Sequence, residues 1–333
     1  MTTYLYLLVS FMLCSALLQK VMKSWRISMD VTIVIPTYKR ADRIVRAVNS
    51  ALEQTVKDKE VIVVDDNGKN SKEQLETEQT LREFIANQKI TYLVNEVSRG
   101  GSFSRNRGLA VATGKYITFL DDDDEIDPKK LEIQMYKLEE MGEEYSCCYT
   151  GYHKLLANGA VYKNAEKVEG YVYPYALARS IYVGSGSNLL VKTEVARRIY
   201  GYDISFKRNQ DLEFMTRLLK DYKLAYVEGD LMTIHYEIRE VKRSYQNMVN
   251  VDTFFVNNFK KEIDNLPEKQ RKGVYDTIAL ERFRYSLSRK EWKDARRNLK
   301  ANHVSFITFF RYILYLIDRV IGKKSYGFKA FKI

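Results

Sequence analysis

The sequence predicts an α/β fold: a mixed, mainly parallel sheet with helices on both faces, followed by a helical C-terminal region. Three observations carry this. Short β-branched runs alternate with helical stretches between residues 31 and 120. Those runs are apolar throughout, as in strands covered on both faces, where a half-exposed sheet would alternate. Beyond Arg239 helical spacing takes over and strands are hard to find.

The elements follow in order. Val31–Ile35 is a strand stopped by Pro36, and Ile44, Val45, Val48 and Leu52 fall at helical spacing after it. Glu60–Val64 is a second strand that ends in Asp65, Asp66, Asn67 and Gly68. A polar amphipathic helix over about Lys72–Asn87 leads to the strand Ile90–Val94, and a helix over about Ser102–Ala112 leads to the strand Lys115–Leu120. Crossovers between such strands are right-handed. After Pro128 a helix near Lys129–Met141 precedes strand-like pieces at Tyr145–Tyr152, Ala160–Tyr162 and Ser187–Val191. They read as a mixed or antiparallel extension of the same sheet.

Composition narrows the function. The chain has 333 residues, 45% hydrophobic and 29% charged, with only 4 Pro and 16 Gly, which excludes collagen-like and disordered classes. Three Cys, two of them adjacent at Cys147 and Cys148, make neither a disulfide framework nor a four-thiolate zinc site. His153, His235 and His303 are too scattered for a His-rich metal enzyme. The net charge of +11 is not spread evenly. Residues 239–333 hold 22 Lys and Arg against 10 Asp and Glu, whereas residues 1–238 hold 32 against 33. A basic C-terminal region points to an anionic surface, lipid or nucleic acid.

Residues 1–19 carry no charge, and residues 4–18 are almost continuously apolar, followed by Lys20, Lys23 and Arg26. That flank suits a membrane anchor with its C-terminal side cytoplasmic better than a cleaved signal peptide. Met29 also opens a conventional domain, so residues 1–28 are read as either an anchor or an over-extended start.

In an open α/β sheet, ligands bind beyond the carboxyl ends of the strands. Three strands here end in polar groups at that edge: Thr37-Tyr38-Lys39-Arg40, Asp65-Asp66-Asn67 and Asp121-Asp122-Asp123-Asp124. Four consecutive carboxylates repel one another and call for a cationic partner. Their hard oxygens suit Mn²⁺ or Mg²⁺, which takes one or two carboxylates plus substrate phosphates. A solvated acidic turn capping the helix after Pro128 is the plainer alternative. There is no G-x-x-x-x-G-K-[ST] loop, and Gly184–Leu189 lacks the last glycine of a dinucleotide fingerprint and precedes a strand.

Taken together, Val31–Arg40, Glu60–Gly68, Ser104-Arg105-Asn106-Arg107-Gly108 and Phe119–Asp124 resemble the family 2 glycosyltransferases of bacterial surface-polysaccharide type. The resemblance spans residues 30–237 and implies the GT-A (Rossmann-like) fold there, with 238–333 as a basic helical C-terminal region. It implies inverting transfer from a nucleotide-diphosphate sugar, usually UDP-linked, with Mn²⁺ or Mg²⁺. By position, Tyr38 and Asp65 would hold the nucleobase and Arg105 would line the same pocket, with Thr37, Asp66 and Asp122 also on the donor side. Asp121 would face the ribose or sugar, and Asp123 the metal. Asp211, opening a helix with Leu212, Met215 and Leu219 on one face, matches the family's catalytic base; a plain N-cap is the alternative for it. Gln210 departs from the usual Glu. His235 falls where the family often places a further diphosphate or metal contact, and a structural histidine would suit the position equally.

The expected function is therefore transfer of a hexosyl or N-acetylhexosaminyl unit to a glycan or lipid-linked acceptor, at the cytoplasmic face of the inner or plasma membrane. Two other readings are weighed. One is an inactive relative serving as a subunit of a polysaccharide complex, supported by Gln210 alone. The other is a nucleic-acid binder, which leaves the acidic cluster without a purpose, so no nucleic-acid partner is expected. In residues 303–321, Phe306, Phe309, Phe310, Ile313, Leu316, Ile317 and Val320 fall on one broad apolar face of a helix. Arg311, Asp318 and Arg319 make the run too charged to span a bilayer, and it suits a helix lying in the headgroup plane.

Overall fold

A computed structural model of the chain describes residues 30–236 and 244–333. The apolar stretch at residues 4–18 lies outside them. The first half is built from β1 (Val31–Thr37), α1 (Ile44–Leu52), β2 (Lys59–Asp65), α2 (Lys72–Ala86), β3 (Thr91–Val94), α3 (Gly101–Val111) and β4 (Tyr116–Phe119). All four strands pair in parallel in the order β3-β2-β1-β4. Strand order reverses at β1, so a crevice opens beyond the carboxyl ends of β1, β2 and β4. β3 is an edge strand with an exposed first residue, less covered than its apolar sequence suggests.

The second half adds β5 (Asp124–Ile126), α4 (Lys130–Met141), β6 (Tyr145–Leu156), β7 (Val161–Asn164), α5 (Tyr173–Leu177), β8 (Leu190–Lys192), α6 (Thr193–Arg198), α7 (Gln210–Asp221) and β9 (Lys223–Tyr236). β8 runs antiparallel to β4 and to β6, so the sheet is mixed as expected. Two expectations shift. Ser187 and Asn188 form a 3-10 turn ahead of the strand, and the short strand starts at Val161. The 14-residue β9 is the main element that the sequence reading passes over. Its alternation is broken by Glu228-Gly229-Asp230, where the pairing with β6 slips register.

The sheet is packed on both faces. Along β1, Ile33 and Ile35 point into one core with Ile44, Val48, Leu81 and Leu131, while Val34 points into the other with Leu109, Phe214 and Leu218.

The C-terminal region contains α8 (Tyr245–Asn258), α9 (Lys260–Asp264), α10 (Glu268–Ser288), α11 (Trp292–Ala301), α12 (Phe306–Ile321) and β10 (Lys324–Ser325). Phe255, Ile263, Val274 and Ile278 join the same core as Val34 and Phe214, and β10 extends the sheet by pairing with β7. The region is therefore fused to the sheet rather than tethered to it.

α12 corrects the single apolar face drawn from the sequence. Phe309, Ile313 and Leu316 pack with Tyr312 and Tyr315 on a satellite core, while Phe306, Ile307, Phe310, Leu314, Ile317, Val320 and Ile321 are exposed. Among the described residues no helix is long and apolar enough to cross a membrane.

Candidate active site

β4 delivers the acidic run to the crevice, and the extended backbone turns alternate side chains opposite ways. Asp122 and Asp124 are buried; Asp121 and Asp123 remain partly exposed. Asp122 accepts from Thr37 Oγ1 at 2.8 Å and from Arg40 Nη1 at 2.6 Å. Burial pushes its carboxyl up to about 6 against the pull of Arg40. Asp124 accepts from the Ser185 and Ser187 hydroxyls at 2.8 and 2.7 Å, and burial, aided by Asp121, pushes it up to about 8. The inner pair thus lies beneath the crevice and fixes the loop.

The outer pair meets the expected cations. Arg40 Nη1 lies 2.8 Å from Asp123, and Arg105 Nη2 donates to Asp121 at 2.5 Å. Arg46 donates to the Asp123 carbonyl at 2.7 Å. The sequence reading places Arg40 at the polar end of the first strand without a role and does not name Arg46; the demand of the acidic run for compensation is the signal for both.

The residues expected on the nucleotide side sit at the ends of β1 and β2. Asp65 is fully buried and accepts from the Asn67 N–H at 2.8 Å and the Tyr92 hydroxyl at 2.6 Å, and burial raises its pKa. Tyr38 is 47% exposed and precedes Lys39, whose left-handed φ of 55° aims its N–H at Asn67 Oδ1, 2.8 Å away. Asp66 faces the other way. It accepts from Asn95, Ser98, Arg99 N–H and Gly100 N–H at 2.7–3.0 Å, clamping the loop that starts α3.

Each residue of Ser104–Gly108 has a separate task on α3. Ser104 accepts from Asn95, Asn106 brackets the Tyr202 backbone at 2.7 Å on both sides, and Arg107 donates to the Val94 carbonyl. A Cβ at Gly108 would come within 2.3 Å of Val34, so only glycine lets α3 lie this close to β1. Arg105 is left to reach both Asp121 and, at 3.1 Å, Gln210 Oε1.

α7 brings Asp211 to the same place. Asn209 is its N-cap, with a left-handed φ of 55°, so Asp211 lies inside the first turn and is not the cap. Asp211, Arg105, Asp121, Gly186 and Tyr202 line one cleft of about 210 Å³. Burial raises the Asp211 pKa, with Asp121 adding to the shift and Arg105 opposing it. Glu213 and Arg217 pair one turn on, and Arg217 donates to the Gly201 carbonyl at 2.6 Å, pinning the preceding loop under the helix.

His235 Nε2 lies 3.3 Å from Glu125 Oε2. Among the described residues no three His, Cys, Asp or Glu side chains converge as a metal cage. The two outward carboxylates, each paired with an arginine, offer the hard oxygens that a divalent ion shared with substrate phosphates takes.

Comparison with known proteins bears on the family and the fold. Residues 32–200 match Glycosyl transferase family 2. The amylovoran biosynthesis glycosyltransferase AmsB of Erwinia amylovora is 26% identical over 257 residues, 73% of this chain and 80% of that protein. The UDP-Glc:alpha-D-GlcNAc-diphosphoundecaprenol beta-1,3-glucosyltransferase WfgD of Escherichia coli is 25% identical over 211 residues, 63% of this chain and 78% of its own. In fold, the chain is similar to S. aureus TarS 1-349 in complex with UDP-GlcNAc, with a TM-score of 0.61 at 15% identity over 89% of each chain. With the GT-A architecture, the Asp121–Asp124 edge and the family match in agreement, the chain belongs to the family 2 glycosyltransferases.

Proposed function

We propose that the chain is an inverting, metal-dependent transferase that moves a hexosyl or N-acetylhexosaminyl unit from a UDP-sugar to a glycan or lipid-linked acceptor in surface-polysaccharide synthesis. The observation that carries this is the cleft shared by Asp211, Arg105 and Asp121, at the carboxyl end of β4. WfgD, by its name, uses a UDP-sugar and a diphosphate-linked acceptor, and TarS is seen with UDP-GlcNAc.

Tyr38 and Asp65 would frame the base, held in register by the Lys39–Asn67 bond. Thr37, Asp122 and Asp66 set the shape of the pocket from below, and Arg105 fixes Asp121 toward the ribose or sugar. Asp123 would hold Mn²⁺ or Mg²⁺ together with the diphosphate, with His235 as a further contact near the diphosphate; the ion would offset charge on the leaving group. In the displacement, the acceptor hydroxyl oxygen bonds to the anomeric carbon as the bond to the β-phosphate oxygen breaks. The hydroxyl proton passes to the Asp211 carboxylate and UDP departs. Gln210 accepts from Arg105 as a carboxylate would, so its presence does not favour an inactive subunit.

A panel of UDP- and GDP-sugars, assayed for metal-dependent release of nucleotide, tests the reading. UDP binding should strengthen with Mn²⁺ or Mg²⁺, and this gain should vanish in Asp123→Ala. Metal-independent UDP binding of unchanged affinity in that variant sinks it.

A peripheral position on the membrane belongs to the same proposal. The exposed residues at 306, 307, 310, 314, 317 and 321 recur at helical spacing as one outward stripe of α12, set in the basic C-terminal region.

A further inference from the structure

Behind Asp211 lies a second cavity of about 780 Å³, between the sheet and the C-terminal helices. Asp211 and Arg208 line both it and the smaller cleft, so the two spaces meet at the base. Asp121 and Arg105 line only the smaller one. The larger cavity is thus on the side of Asp211 away from the donor edge, where an acceptor would have to enter.

Its charges do not balance. The lining carries five basic side chains against three carboxylates, one of them Asp211 itself. Arg179 is paired with Asp252 at 2.5 Å, and Arg284 with Glu281 at 2.5 Å. Lys154 and Arg319 have no carboxylate partner among the described residues. The Lys154 ammonium rests over the Tyr236 ring, 4.0 Å from its centroid. Arg319 donates to the Tyr315 hydroxyl at 2.9 Å and stacks near Tyr182 and Tyr315, and its buried Nε has no partner. Burial and the charge of Arg319 lower the Lys154 pKa, against a pull from Asp124, and Arg319 acts on Glu281 without pairing with it. Two partly buried cations lining one cavity without a paired carboxylate cost free energy unless an anion offsets them.

We propose that this cavity receives the acceptor and that Lys154 and Arg319 hold a phosphate or diphosphate which the acceptor carries, with its reacting hydroxyl toward Asp211. The inference rests on the transferase reading above and names its acceptor class: a sugar joined to a lipid through a diphosphate. The placement of Arg319 fits that class. It is on the inner side of α12, whose outer side is the exposed apolar stripe, so the anion site lies about one helix diameter (~10 Å) from the lipid-facing surface. A phosphate at the headgroup level of a membrane-held substrate would reach it.

The test is titration of the full chain, in detergent, with geranyl diphosphate in the presence of EDTA, and with geraniol as the uncharged control. Geranyl diphosphate should bind more tightly than geraniol. Lys154→Gln and Arg319→Gln, on separate elements, should each weaken it by about tenfold or more, and Lys154→Arg and Arg319→Lys should retain it. In a separate titration without EDTA, saturating UDP with Mn²⁺ should leave the affinity as it is with Mn²⁺ alone, because the donor diphosphate belongs at Asp121 and Asp123. Competition by UDP, equal binding of geraniol, or Gln variants that match the wild type would each overturn the proposal. UDP titration of the same proteins keeps the two readings apart. A chain that binds geranyl diphosphate through these cations but never UDP retains the anion site and loses the nucleotide-sugar reading. One that binds UDP and is indifferent to both substitutions retains the transferase and loses the anion site.

Discussion

Asp211 carries the most specific chemical demand of any residue here. Asp211→Asn keeps shape and helix position but cannot take the proton, so donor binding should persist while transfer falls by ~10²–10⁴. Wild-type transfer in that variant returns Asp211 to a structural role. The direction of its shift also predicts a pH profile. Burial holds the carboxyl above its ordinary value of 3.8, so the protonated, inactive form persists to higher pH and activity is lost as pH falls through the raised pKa. Gln210→Glu gives a finer check. The new carboxylate would still accept from Arg105, yet it adds a negative charge one residue from Asp211 and removes the 3.1 Å bond from Gln210 Nε2 to the Phe206 carbonyl. Like charge disfavours ionisation, so the acid limb of kcat/KM should move to higher pH than in the wild type. An unmoved limb would mean that the titrating group is not Asp211.

Helices and loops reach the site through a few polar clamps, and Asp66 is the one most exposed to mutation. It ties the residue 95–100 loop, and through it the start of α3, to the end of β2. Asp66→Ala leaves four donors to find other partners, two of them backbone N–H groups. Denaturant unfolding should show a loss of about 2–4 kcal/mol, with Arg105 freed from its setting and UDP affinity reduced as well. A loss within about 0.5 kcal/mol, the scale of ordinary surface changes, would contradict the clamp. The same clamp explains what could be read from sequence. Asp66 was legible as a polar residue at a strand end, but its inward direction was not, because a turn after a strand can aim a side chain either way. The alternation through Asp121–Asp124 is similar: the run marks the edge, while burial of Asp122 and Asp124 depends on Thr37, Arg40, Ser185 and Ser187, distant in sequence. The four parallel strands announced themselves through unbroken apolar runs. β9 did not, since its pairing with β6 is set by tertiary contact across a break in the pattern.

At the scale of the whole molecule, charge and apolar surface are segregated. Residues 239–333 carry the basic excess, and their last helix presents seven large apolar side chains to solvent, from Phe306 at 80% to Ile317 at 48% exposure. A helix that served the core alone would have no use for the second face. Arg311, Lys323 and Lys332 are exposed around it, and α11 adds Trp292, Lys293, Arg296 and Arg297 on the surface. Each basic residue near an anionic leaflet contributes roughly 1 kcal/mol, and salt screens that attraction. Apolar insertion supplies the part that salt does not remove. A protein that starts at Met29 removes the apolar segment at residues 4–18 and isolates this surface. It should float with anionic liposomes at low salt and release progressively as salt is raised. Replacing Phe310, Leu314 and Ile317 together by Asp should abolish flotation while leaving the thermal unfolding midpoint nearly unchanged, because the three side chains are 48–53% exposed and hold little of the core. Loss of flotation together with a large drop in the midpoint would make α12 a packing element. Failure of the Met29 protein to bind anionic liposomes at low salt would leave the stripe without lipid as its partner.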